Sequence, residues 1–129
     1  MKKLNKDSVL GIAALLVHAA NIDEIYSNHE KDLIKNFIKS YLENEDENAF
    51  LKKAEEVESN SNQLLNYTNI IKNNSIEIKK DIIEHLWKVI ISDNTVDQYE
   101  SNLMRRICGL IYFSDKECGE IKLKLINNK

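Results

Sequence analysis

Proline is absent from this chain of 129 residues, and glycine occurs only three times. A strand-and-turn architecture needs turn residues every 8 to 12 positions or so. Their scarcity argues against a sheet, sandwich or barrel and leaves an all-α fold as the expectation. Cysteine is scarce as well. Cys108 and Cys118 stand ten residues apart without CxxC spacing, which gives no support for a redox motif or a zinc knuckle and leaves two buried, reduced thiols. No continuous apolar run reaches the roughly 18 residues needed to cross a bilayer, so no transmembrane segment is expected. The opening "MKKLNKDSVLGIAALLVHAAN" sets basic residues before an apolar stretch, as a signal peptide does. His18 interrupts that stretch and its helical spacing recurs later, so it reads as a core helix of a soluble, cytoplasmic protein. A net charge of -3 without a dense basic stripe argues against nucleic acid as a partner.

What is present is helical periodicity on a length that suits one domain, residues 1–129, with one core. Val9, Ile12, Ala13, Leu16, Val17 and Ala20 form one apolar stripe over about Ser8 to Asn21, with Asp7 or Ser8 as the expected cap. Ser27 and Glu30 make an S-x-x-E capping box ahead of Leu33, Ile34, Phe37, Ile38 and Tyr41. Asn44 or Asp46 then caps a helix marked by Phe50, Leu51, Ala54 and Val57. A fourth segment carries Leu64, Leu65, Tyr67, Ile70 and Ile71. Ser75 opens a fifth helix, Ile76 to Ile91, that is apolar around most of its circumference except for Asp81, Glu84, His85 and Lys88, as expected of a central helix. The sixth follows Asp97 and turns Leu103, Met104, Ile107, Cys108 and Ile111 inward. The seventh follows a second box, Ser114 with Glu117, and buries Ile121, Leu125 and Cys118. The expectation is a bundle of seven helices.

Laid on itself at an offset of 70, the chain matches Ile12, Leu16, Asp23, Glu30 and Leu33 to Ile82, Leu86, Asp93, Glu100 and Leu103. The two halves therefore read as related helix-loop-helix units with acidic junctions. In the second junction, "ISDNTVDQYE", Asp93, Asp97 and Glu100 follow a D-x-x-x-D-x-x-E spacing. Oxygen-only ligands suit hard cations, calcium or magnesium. The spacing is not that of an EF-hand loop, so the affinity expected is modest, on the order of 10⁻⁵ to 10⁻³ M. A second reading stands beside it. Asp97 with Glu100, like Ser27 with Glu30, has N-cap to N3 spacing and serves to satisfy the orphan amides of a helix start. Asp23 and Asp93 are the acids that capping does not require.

The stretch "IIEHLWKVIISDNTVDQYESNLMRRICGLIYFSDKE" resembles the second acidic element of the TerB-like family, and "AALLVHAANIDEIYSNHEKDLI" is a more distant match to the first. The resemblance implies an all-α bundle whose acidic residues bind a divalent cation, in proteins linked to tellurite and other stress responses. The same domain type also accompanies a J-domain in a membrane-anchored co-chaperone. Carried over by position, Asp93, Asp97 and Glu100 match all three acids of the second copy, and Asp23 and Glu30 match two of the first, where Ser27 replaces the middle acid. The family's glycine is Glu24 in one copy and Asn94 in the other, and the acid after it is Ile25 or Thr95.

His18, His29 and His85 show no metal-ligand spacing, and Asp81 before His85 reads as an ordinary helix-surface pair. There is no nucleophile elbow, phosphate loop or dinucleotide fingerprint, so no enzyme is expected. An enzyme reading would need a deep pocket of perturbed titratable groups. The acids between Glu43 and Glu58 read as a solvated helix face, with a docking surface for a basic partner as the alternative. Trp87, Tyr99, Tyr112 and Phe113 read as core or core edge; exposed, Tyr112 and Phe113 would form a protein-binding patch near Arg105 and Arg106. The function expected is non-enzymatic: a divalent-cation-binding domain, or a metal-free interaction domain with an unknown protein partner.

Overall fold

Without proline, this chain opens most of its helices with polar side chains that compete for backbone amides, and those residues mark the junctions. A computed structural model describes residues 4–21, 26–60, 65–91 and 98–127, with the side chains of 65, 66 and 98–100 outside the description. The helices are α1 (Lys6–Ala20), α2 (Asn28–Tyr41), α3 (Glu47–Ser59), α4 (Leu65–Lys72), α5 (Ile76–Ile91), α6 (Gln98–Leu110) and α7 (Asp115–Asn127). No strand occurs among the described residues, and the all-α bundle is as expected.

The starts follow the capping chemistry. Asp46 Oδ1 accepts from Asn48 N at 3.0 Å and Ala49 N at 3.3 Å, and Ser75 Oγ accepts from Ile78 N at 3.3 Å. At α1 the expected cap is corrected. Asn5 Oδ1 takes the Ser8 amide at 2.7 Å, so the helix begins two residues earlier and Asp7 falls in its first turn, where its charge complements the dipole. The second expected box forms by half: Ser114 Oγ accepts from Glu117 N at 3.4 Å, while the Glu117 carboxylate lies 4.0 Å from Lys80.

The core runs along α1 and α5, which lie against each other. The expected stripe on α1 is nearly a full circumference, because Ala13, Ala14, Leu15, Ala19 and Gly11 are buried along with Val9, Ile12 and Leu16. Its small residues let α2, α3, α4 and α5 all approach. Gly11 marks the tightest place: a Cβ there would run into Ile70 Cδ1 of α4. Centrality is therefore shared, α5 being buried along Ile82, Ile83, Leu86, Trp87, Val89 and Ile90 as its composition implied. Burial of this area supplies the main favourable term, about 25 cal/mol per Å² of apolar surface.

The internal repeat is structural as well. α1 and α5 begin 70 residues apart, as do α2 and α6. The paired residues Ile12 and Ile82, Leu16 and Leu86, Ile34 and Met104, and Phe37 and Ile107 are all buried. α7 packs only on α5 and α6 among the larger helix contacts, which leaves Leu123 and Ile126 exposed.

Candidate functional site

The first acidic junction lies where α1 gives way to α2, next to the end of α3. Asp23 is outside the described residues. Glu30 is in the first turn of α2 and is 7% exposed. Its Oε1 accepts from Ser27 N at 2.9 Å and from Ser27 Oγ at 3.1 Å, and Ser27 Oγ in turn accepts from Glu30 N at 3.2 Å. The capping box read from the sequence is thus complete.

Residues that sequence reasoning assigned to a solvated face also reach this junction. Glu58 Oε1 lies 3.4 Å from His18 Nδ1, joining the end of α3 to the last turn of α1. The Tyr26 hydroxyl is buried with no partner of good hydrogen-bond geometry among the described residues, although the Glu55 carboxylate is near enough to act on it. Burial first, then Glu55, Glu30 and Glu58, push the Tyr26 phenol well above its ordinary value of 10.0. The Lys31 ammonium sits 5.0 Å from the Tyr26 ring centroid, on the same rim. Glu55 and Glu58 are i and i+3 on α3, and only the fold could bring them to a junction some 30 residues away in sequence. Elsewhere in the acidic run Glu45 pairs with Lys6 at 2.8 Å and Glu56 stays exposed.

The second junction follows α5. Asp93 and Asp97 lie outside the described residues, and Glu100 is placed in the first turn of α6 by its backbone alone. Among the described residues, no group of three or more His, Cys, Asp or Glu side chains is arranged to hold a metal ion. In the first junction Glu30 caps α2 through Oε1, and Glu58 faces His18.

A third polar cluster was not legible beforehand. Asp81 and His85, read as a surface pair, are instead largely buried, with side chains 13% and 15% exposed and His85 Nε2 3.7 Å from Asp81 Oδ1. The reason is Tyr41 from α2, whose hydroxyl donates to Asp81 Oδ2 at 2.6 Å. Phe37 covers the imidazole edge-on, with ring centroids 5.1 Å apart. Burial and the Asp81 carboxylate hold the Tyr41 phenol well above 10.0.

The aromatic residues divide. Trp87 and Phe113 are buried, and Tyr112 is 71% exposed with Lys72 over its ring at 5.3 Å. Tyr99 lies among the residues whose side chains are not described. Between α5 and α7 an open groove of about 790 Å³ is walled by Lys80, Glu84, Glu117, Glu120 and Lys124 over Ile121 and Leu125. Lys80 lies 4.0 Å from Glu117 across it, and Glu84 lies 3.8 Å from Lys88 on α5. No helix among the described residues is long and apolar enough to cross a membrane.

Among the described residues, an all-α bundle of seven helices, two of whose helix pairs repeat at an offset of 70, defines the class of protein. The family model described as "Tellurite resistance protein TerB" matches residues 9–123, and the chain belongs to the TerB family. No curated protein and no solved structure gives a significant match.

Proposed function

We propose that the protein is a non-enzymatic binding domain that takes a hard divalent cation, calcium or magnesium, through Asp93, Asp97 and Glu100. Asp23 and Glu30 would form a weaker first-copy site, and the domain would serve a tellurite or general stress response. The observation that carries this reading is chain position. α5 ends at Ile91 and α6 begins at Gln98, so connectivity ties three acids to two adjoining helix ends. Membership of the TerB family supports it further. Oxygen donors alone favour a hard ion over zinc or copper. A bound cation would fix the α5–α6 junction and so alter the surface offered to a protein partner.

The metal-free reading is favoured by one specific observation, the reciprocal Ser27–Glu30 box, in which the acid acts as a cap. Applied to Asp97 and Glu100, the same chemistry makes them a helix start and the domain a scaffold. Calorimetric titration of the EDTA-treated protein with calcium and with magnesium separates the two readings. Saturable heat at one site, abolished in an Asp93→Asn, Glu100→Gln variant that melts normally, supports the cation site. Identical traces for parent and variant support caps.

A further inference from the structure

Away from the acidic junctions, the apolar side chains left in water collect at one place. Among the described residues four large apolar side chains are exposed, and three of them, Leu123 at 59%, Ile76 at 51% and Ile126 at 41%, belong to the two helices that wall the α5–α7 groove. Leu123 lines the groove itself, beside Ile121 and Leu125. Ile76 stands one turn before Lys80 and two before Glu84, so the three share the face of α5 that forms the other wall. On α7 the chain is apolar on two sides. Cys118, Ile121 and Leu125 turn inward to the core, whereas Leu123 falls on the far side, with Gly119 one turn before it and Ile126 one turn after. A Cβ on Gly119 would meet nothing within 4 Å, so a second backbone can come close there.

The rim carries both signs of charge. Lys80 and Lys124 stand among Glu84, Glu117 and Glu120, a mixture that suits neither a strongly basic nor a strongly acidic partner. Lys80 and Glu84 have neighbours of opposite sign on their own molecule, Glu117 and Lys88. Glu120 and Lys124 sit one turn apart on α7, both exposed, and form no ion pair with another described residue. Two opposite charges spaced in this way match themselves when the helix is run antiparallel. A two-fold axis near Lys122 sets Glu120 against Lys124 of a second copy, and Lys124 against its Glu120. The same axis sets Leu123 over Ile121 in the second copy's groove, so a ridge and a groove that lie side by side on one molecule are exchanged between two.

We infer that this face is the contact between two copies of the chain, a homodimer in which the α7 helices pack antiparallel across a two-fold axis. Leu123 of each copy enters the groove of the other, and Glu120 meets Lys124 at its rim. The size of the face sets its strength. α7 has 13 residues and is about 20 Å long, and with the adjoining face of α5 it presents a strip two helices, about 20 Å, wide. Counted on both copies, a corrugated strip of that outline comes near about 1,200 Å², the lower end of specific interfaces. A reversible dimer with a dissociation constant on the order of 10 to 100 μM follows. None of the acids at the helix junctions takes part, so the dimer is independent of cation binding.

The test is sedimentation equilibrium of the full reduced chain in EDTA, from about 1 μM to about 1 mM. The expected mass rises from 15.0 kDa to twice that value and stops there. Leu123→Glu puts a charge at the centre of the contact and should hold the mass at one chain, while the dilute variant melts as the dilute parent does because Leu123 is exposed in the monomer. Ile76→Lys, at the other edge of the groove, should weaken association in the same way. Glu120→Lys alone should raise the dissociation constant by about fivefold or more, and adding Lys124→Glu should restore it. Tyr112→Gly, which removes the exposed side chain farthest from this face in character, should associate as the parent does. One chain at the highest concentration, growth past two chains, a dimer that persists in Leu123→Glu, or loss of the dimer in Tyr112→Gly would each overturn the inference. A parent-like constant in Glu120→Lys alone would overturn the antiparallel pairing. The parent's mass decides the main point whether or not the variants fold.

Discussion

Tyr41 and Asp81 stand 40 positions apart, yet the 2.6 Å bond between them turns an expected surface pair into a largely buried network. Tyr41→Phe removes one hydrogen bond to a largely buried carboxylate, a charge-assisted bond, and should cost about 1 to 3 kcal/mol in urea unfolding. The pH dependence has a definite sign. Tyr41 and Tyr26 are both held above 10.0 in the folded chain, so the neutral phenols stabilise the fold fully below that pH. That contribution is lost as the pH rises past 10.0 toward the folded values. Absorbance titration of the tyrosines should show Tyr26 and Tyr41 ionising late, and Tyr41→Phe should remove one late group. Ionisation of these two near the ordinary value would contradict the burial described for them.

Among the elements, caps and turns carry the sharpest expectations. Ser27→Ala removes one half of the α2 box and should lower stability by about 1 kcal/mol. The box is made by Ser27 and Glu30 themselves, so the loss should appear in urea unfolding of the EDTA-treated protein. At the α6–α7 turn, Tyr112 occupies a left-handed conformation at φ 59° that glycine adopts without a Cβ penalty. Tyr112→Gly should raise the melting midpoint, by about 0.5 to 1 kcal/mol of strain relieved, less what the Lys72 contact supplies. Most helix starts were legible because Ser27, Asp46, Ser75 and Ser114 are short polar side chains ahead of apolar runs, and their chemistry is local. Asn5 was missed because Asp7 and Ser8 compete for the same role, and the choice rests on which side chain reaches a free amide. The turn at Tyr112 was also invisible, since a bulky residue gives no sign of a left-handed conformation.

For the whole molecule, the offset of 70 was readable in the acids and apolar residues, and the helix starts at Lys6 and Ile76, and at Asn28 and Gln98, follow it. What periodicity cannot supply is neighbours at long range. Glu55 and Glu58 reach the first junction from α3, and Tyr41 reaches Asp81 from α2, each through tertiary packing that no local pattern encodes. Of the candidate ligands, Glu30 also closes the cap of α2, and Asp23, Asp93 and Asp97 are outside the described residues; the cation reading is tested first at the second junction, where three acids follow one another in the chain. Its most direct test is a thermal melt of the EDTA-treated protein with added calcium, magnesium or manganese, beside the Asp93→Asn, Glu100→Gln variant. A ligand at a hundred times its dissociation constant adds about 2.7 kcal/mol, which for a chain of this size is a rise of roughly 10 °C. The account expects that rise in the parent and its absence in the variant; equal midpoints with every ion at millimolar concentration would contradict it and leave the second junction's acids as helix caps.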